Sequence, residues 1–191
     1  LSFEDIVAKS SNIGMAKLGK RLGNKRMQAA LKAFGFGSKS GIDLDGEASG
    51  IVRPPHQWNS FSTTSIPMGQ EVGVTPLQLA RAFCVFANGG MLVEPFVIRA
   101  VLASDGGVVQ EHRPPAPKRA LSKSVVATMK DSVLTGVVNH GTGTGAALTH
   151  YQVFGKTGTA QIPRPGGGGY VPDAYVSSFV GAAPAEDPRL V

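Results

Sequence analysis

Cysteine is nearly missing from this 191-residue chain, and the one thiol, Cys84, can neither close a disulfide within it nor build a multi-thiolate metal site. The four histidines, His56, His112, His140 and His150, fall at no metal-ligand spacing, so no metal and no cofactor is expected. Long apolar runs are missing too: none approaches the roughly 18 residues of a membrane-crossing helix. The first residues, Leu1-Ser2-Phe3-Glu4-Asp5, lack an initiator methionine and a signal-peptide profile, and the expectation is of an excised segment.

What is present is the composition of a folded domain. With 42% hydrophobic and 17% charged residues, the chain reads as one domain or a large piece of one, able to bury roughly 70% of its unfolded surface. The net charge of +6 points to an anionic partner, yet the basic residues are scattered except at Lys17, Lys20, Arg21, Lys25 and Arg26. No aromatics are interleaved there for base stacking, so that group reads as a solvated face and nucleic acid is not an expected partner.

Apolar residues at Ile13, Met15, Leu18 and Leu22 predict a short helix stopped by Gly23, and Asn24 is placed to cap a second one over Lys25–Ala33. Residues 38–67, rich in Ser, Thr, Pro, Gly and Asp, predict a long irregular excursion. Thr75-Pro76 is an N-cap followed by proline at the first helical position, and the helix runs to Asn88-Gly89-Gly90. Cys84 lies within it as a packing residue. Met91 to Leu102 reads as extended chain, Asp105-Gly106-Gly107 as a hairpin turn, and Pro114, Pro115 and Pro117 as a surface crossing.

Ser122 caps a further helix whose apolar side carries Val125, Val126, Met129, Val133 and Leu134. Gly141-Thr142-Gly143-Thr144-Gly145 reads as a flexible loop. Tyr151 to Phe154 leads as a strand into Gly155-Lys156-Thr157-Gly158-Thr159, and the glycines at 166 to 169 join it to a second strand, Tyr175 to Ala182. Arg189-Leu190-Val191 reads as the start of a third strand cut at the sheet edge. Val125, Met129 and Val133 are expected to be partly uncovered.

Two constellations can carry chemistry, Ser10-Ser11-Asn12 at a helix start and Lys156-Thr157-Gly158-Thr159 on a strand. Taken singly, the first is a set of helix caps and the second a strand end. Gly155-Lys156-Thr157 imitates a phosphate-binding loop, but His150 stands where that motif needs glycine and the strand enters a hairpin, not a helix. The run from Gly141 follows a helix and opens none, which excludes a dinucleotide fingerprint. Paired, the two constellations suit acyl transfer. Ser10 offers a relay hydroxyl, Asn12 a donor and acceptor for an amide, and Lys156 with Thr157 and Thr159 a cation and two hydroxyls for an anionic group. Gly158 lets a ligand approach the strand without a Cβ in the way.

Lys9 to Gly14, Met68 to Ala82 and Gly155 to Gln161, in that order, strongly resemble the transpeptidase domain of class B, monofunctional penicillin-binding proteins. Ser-Ser-Asn with Phe34-Gly35-Phe36-Gly37 and Pro76 to Arg81 is most similar to the septal, division-type enzymes, with elongation and sporulation types as near neighbours. The departure is large. No serine here has a lysine three residues later, so the Ser-x-x-Lys nucleophile motif is absent, and the resemblance puts it upstream of Leu1.

The resemblance implies an α/β fold of the penicillin-binding-protein and serine β-lactamase type, an antiparallel sheet with a helical cluster, truncated at both ends. Residues 1–191 would be a partial transpeptidase domain, with its second motif at 10–12 and third at 156–159. It further implies that Ser10 relays protons, Asn12 binds the substrate or β-lactam amide, Lys156 is the cation beside the relay, and Thr157 and Thr159 hold the terminal carboxylate. The Thr159 backbone N–H would be one oxyanion-hole donor, with Gly158 giving clearance. The implied activity is D,D-transpeptidation of peptidoglycan stem peptides through an acyl-enzyme, with acylation by β-lactams. The site would be extracytoplasmic, held by an N-terminal anchor, with division or elongation proteins as partners. A β-lactamase or β-lactam sensor of the same fold, and a non-catalytic scaffold module, are the alternatives.

Overall fold

The computed structural model describes residues 1–191, and its first two helices meet at a tight junction. Helix α1, Phe3–Ala8, opens with a reciprocal capping box between Ser2 and Asp5. It ends in a turn in which Ser11 N–H reaches Ile6 O at 2.9 Å and Ser10 N–H reaches Val7 O at 3.2 Å. This is the double bond pattern of a Schellman motif, and Ser10 occupies its left-handed position, with φ of 50°. Ser11 then caps α2, Asn12–Ala33, accepting from Gly14 N–H at 3.2 Å.

The expected stop at Gly23 is found: α2 consists of two helical halves that meet at a kink there. Gly23 leaves helical geometry (φ 76°, ψ 161°), but the helix resumes directly and runs on to Ala33. Asn24 caps nothing there; its side-chain oxygen accepts from Thr63 Oγ1 at 2.7 Å.

The 38–67 excursion is irregular as expected, holding only β1 (Ile51–Val52), a 3₁₀ turn (Pro55–Gln57) and α3 (Ser62–Ser65) before a second 3₁₀ turn at Ile66–Met68. β1 pairs with β2, Val72–Gly73, in antiparallel register. Two side chains supply the order that the backbone lacks. Buried Gln78 donates to Ser38 O and Ser49 O, each at 2.8 Å. The Glu71 carboxylate accepts from Ser62 Oγ at 2.7 Å, from Ser65 Oγ and from the Arg53 guanidinium.

Helix α4, Pro76–Ala87, forms as its termini predict, with a capping box between Thr75 and Gln78. Cys84 is half-buried in it, and burial pushes its thiol pKa up, as suits a packing role. The extended stretch pairs only at its ends, as β3 (Met91–Leu92) and β4 (Ala100–Leu102). β4 and β5 (Val108–Glu111) form the expected hairpin, and β6 (Lys118–Arg119) pairs with β3. Ser122 caps α5, Lys123–Thr128, which continues through a π-helical segment, Met129–Leu134, into α6, Thr135–His140. Of the residues expected to be uncovered, Val125 is exposed and Met129 half-buried, but Val133, within the π segment, is buried.

A 3₁₀ turn at Thr144–Ala146 leads towards β7, Phe154–Pro163, which pairs antiparallel with β8, Tyr170–Ala182. Tyr151 to Val153 are not strand: Gln152 O is taken by Ala185 N–H at 2.8 Å. β8 begins earlier than Tyr175 because the ladder extends past an irregularity to Pro163 and Tyr170. Arg189 to Val191 form no strand, only an isolated bridge from Leu190 to Ala183. The core joins Phe83, Leu134, Phe154, Ala182 and Ala185, with Phe83 and Phe154 stacked at 5.5 Å. Phe154 is fully buried, so the start of β7 is fixed two residues before Lys156.

Candidate active site

Ser10 and Lys156 lie 146 residues apart in sequence, and the fold brings the Lys156 ammonium into a donated hydrogen bond with Ser10 Oγ. Each arrives for a local reason. Lys156 follows the anchored Phe154 on β7, and Ser10 is presented by the turn between α1 and α2. Glycine is the usual residue at that turn position, where a side chain costs about 1–2 kcal/mol. Strain of this kind concentrates at functional sites.

The Lys156 Nζ also donates to Thr157 O at 2.8 Å and approaches Thr157 Oγ1 at 3.4 Å. None of the ion pairs in the chain includes it. Burial lowers its pKa below the ordinary lysine value. A lowered pKa makes the ammonium a better proton donor to Ser10, and an unpaired, partly desolvated cation is ready for a ligand anion.

Asn12 is the first residue of α2, exposed, and its amide makes no hydrogen bond within the chain. Ser11, not Asn12, caps the helix, so the Asn12 amide is open to a ligand. Gly158 is in close quarters: a Cβ there would stand 2.6 Å from Ser178 Oγ, a clash on the partner strand. The Thr159 side chain is exposed and likewise without an internal partner. Hydrogen bonds join Ser10, Lys156 and Thr157; Asn12, Gly158 and Thr159 lie within two residues of them in sequence but share no such bond.

One residue here escapes the sequence reading. Thr142 Oγ1 lies 2.6 Å from Thr157 Oγ1 and 3.4 Å from Ser10 Oγ, linking both constellations. Among the five residues of the Gly- and Thr-rich run, nothing local distinguishes Thr142 from Thr144. The apolar groove of about 490 Å³ lined by Met15, Leu18, Leu22, Met27 and Phe34 contains none of the site residues.

Comparison with known proteins gives this arrangement a context. The family described as penicillin binding protein transpeptidase domain matches residues 1–191. Penicillin-binding protein PbpB of Mycolicibacterium smegmatis is 39% identical over 192 residues, covering 97% of this chain and 30% of that protein. Stage V sporulation protein D of Bacillus subtilis is 37% identical over 191 residues, covering 100% of this chain and 29% of that protein. A crystal structure of penicillin-binding protein 3 from Mycobacterium tuberculosis, complexed with ampicillin, superposes with a TM-score of 0.93 at 36% identity, covering 98% of this chain and 43% of that one. The chain thus spans less than a third of the two relatives' length. Matched along its whole length, and sharing the fold of that crystal structure, the chain belongs to the penicillin-binding protein transpeptidase domain family.

Proposed function

We propose that residues 1–191 are part of the transpeptidase domain of a serine-type peptidoglycan D,D-transpeptidase, carrying its second motif at 10–12 and its third at 156–159. The observation that carries this reading is the hydrogen bond from the Lys156 ammonium to Ser10 Oγ with no carboxylate paired to the cation. In the reaction a serine outside these residues gives its proton to a base likewise outside them and attacks the stem-peptide carbonyl. Ser10 Oγ passes a proton to the departing amine and recovers one from the Lys156 ammonium. The Asn12 amide holds the substrate amide, Thr157 and Thr159 hydroxyls hold the terminal carboxylate, and the Thr159 N–H donates to the oxyanion. An extended substrate is proposed to add along this strand, where Gly158 leaves room for the Ser178 side chain beside it.

A β-lactam offers the same carbonyl and carboxylate, so it is proposed to acylate the same serine; the relative complexed with ampicillin supports this. A role in wall synthesis, with division or elongation proteins as partners, belongs to the same proposal. Peptidoglycan is built outside the cytoplasmic membrane, so the proposed location is extracytoplasmic, with an anchor in other residues. No helix among these residues is long and apolar enough to cross a membrane.

The test uses the full-length protein with a fluorescent penicillin and a stem-peptide substrate. A stoichiometric adduct, mapped by mass spectrometry to a serine outside residues 1–191, is expected. An adduct on any serine of this chain, or stem-peptide transfer unaffected by Lys156→Ala, overturns the assignment.

A further inference from the structure

The turn expected to be a flexible loop is held by three backbone bonds to two buried residues. Thr142 N–H donates to Ala8 O at 3.0 Å, and Gly141 and Gly143 N–H both donate to Val137 O, at 3.2 and 2.9 Å. A Cβ on Gly141 would stand 2.4 Å from Ala8 O, so the turn backbone rests directly on the end of α1. Ala8 and Val137 are themselves buried. The Thr142 side chain is thereby fixed against the site by backbone bonds that its own hydroxyl does not make.

A threonine hydroxyl has one proton and two lone pairs. To hold an anion, Thr157 must aim its proton at the ligand, so its oxygen should accept from a neighbour. Thr142 Oγ1, at 2.6 Å, is the nearest hydroxyl to it. The weaker contact to Ser10 Oγ, at 3.4 Å, lets Thr142 accept from the Ser10 side while donating to Thr157. We propose that Thr142 is a positioning residue that donates its proton to Thr157 Oγ1, leaving the Thr157 proton to bind the substrate or β-lactam carboxylate. Thr142 touches no reacting atom; it sets which way the carboxylate-binding hydroxyl points. The inference rests on the transpeptidase reading and names the substrate group, a carboxylate, that the added residue serves.

The experiment compares full-length wild type, Thr142→Val, Thr142→Ser and Lys156→Ala, using a penicillin and its carboxylate methyl ester. Stopped-flow acylation separates the dissociation constant from the acylation rate constant. Thr142→Val is isosteric without the hydroxyl, and is expected to weaken binding of the free acid about tenfold, the loss of one hydrogen bond to a charged group. Its saturating acylation rate should stay within about threefold of wild type, since proton relay is not its task. Binding of the ester should be unchanged, and Thr142→Ser should restore the acid-over-ester preference. Equal losses for acid and ester in Thr142→Val, or a lowered rate constant with unaltered binding, would overturn the proposal, as would wild-type behaviour. A misfolded Thr142→Val would leave Thr142→Ser, which keeps the hydroxyl and must keep the preference. If wild type itself is not acylated, or Lys156→Ala acylates normally, the transpeptidase reading falls and this inference with it. If both controls behave and only the Thr142 preference is absent, this inference alone falls.

Discussion

Two clusters of hydroxyls gathered around one charge occupy this chain, and both include a non-glycine residue at positive φ, Glu71 at 63° and Ser10 at 50°. Around Glu71 the hydroxyls of Ser62 and Ser65 donate to the carboxylate, and Arg53 supplies the opposite charge. Around Lys156 the hydroxyls of Ser10 and Thr157 and one carbonyl accept, but no anion is present. Burial would raise the Glu71 pKa, yet the bonds from Ser65 and Ser62 and the Arg53 charge outweigh it and hold the carboxyl below its usual range. Burial lowers the Lys156 pKa with no opposing partner. A charge closed by its own counter-ion is a knot that ties the irregular 38–67 region to the start of β2. A charge left open against hydroxyls is a place where a ligand completes the network.

If that contrast holds, removing each charge should damage a different property. Lys156→Ala in the full-length protein should slow acylation on the order of 10²-fold or more, about 2.7 kcal/mol, while its melting temperature moves little. Stopped-flow kinetics with calorimetry decide this, and an unchanged rate would reduce Lys156 to a strand-end charge.

Glu71→Gln should do the converse, costing about 1–3 kcal/mol of stability because Arg53 loses its partner, with acylation kinetics nearly intact. The pH sign follows from the lowered carboxyl: its contribution is present above the ordinary Glu value of 4.5 and is lost as pH falls through the lower folded value. Melts of wild type and variant from neutral to acid pH should therefore converge; parallel curves would show that the carboxylate is not the stabilising species.

A smaller effect is expected at Asn12. Asn12→Ala should weaken amide-bearing β-lactams about tenfold and spare a ligand without the acylamino side chain, since its amide is open and Ser11 caps the helix. Equal losses for both ligands would make Asn12 a structural residue of the helix entry.

The smallest effect tests the strained turn. Ser10→Gly should raise stability by about 1 kcal/mol by relieving the left-handed φ, and should still slow acylation because the relay hydroxyl is gone. A lower melting temperature would mean that the bond from Lys156 holds the junction together more than the backbone strain loosens it.

Features set by near neighbours in sequence were legible in advance. The α4 start follows from Thr75, Pro76 and Gln78, three residues whose reciprocal bonds span one turn, and the Ser122 cap and the Asp105-Gly106-Gly107 hairpin are equally local. Residue types and order at 10–12 and 156–159 were enough to pair the two constellations chemically. The Gly23 break was legible because a glycine at positive φ ends a helix locally, whereas the early start of β8 was not, because ladder pairing overrides the glycine run before it. What only the tertiary structure decided are the contacts between distant segments: Lys156 with Ser10, Thr142 with Thr157, and Gln78 with the carbonyls of Ser38 and Ser49. A hydroxyl such as Thr142 has no periodicity or cap pattern to mark it. Its role arises when the backbone bond to Ala8 O places its oxygen beside Thr157, and that placement is a property of packing rather than of any window of sequence.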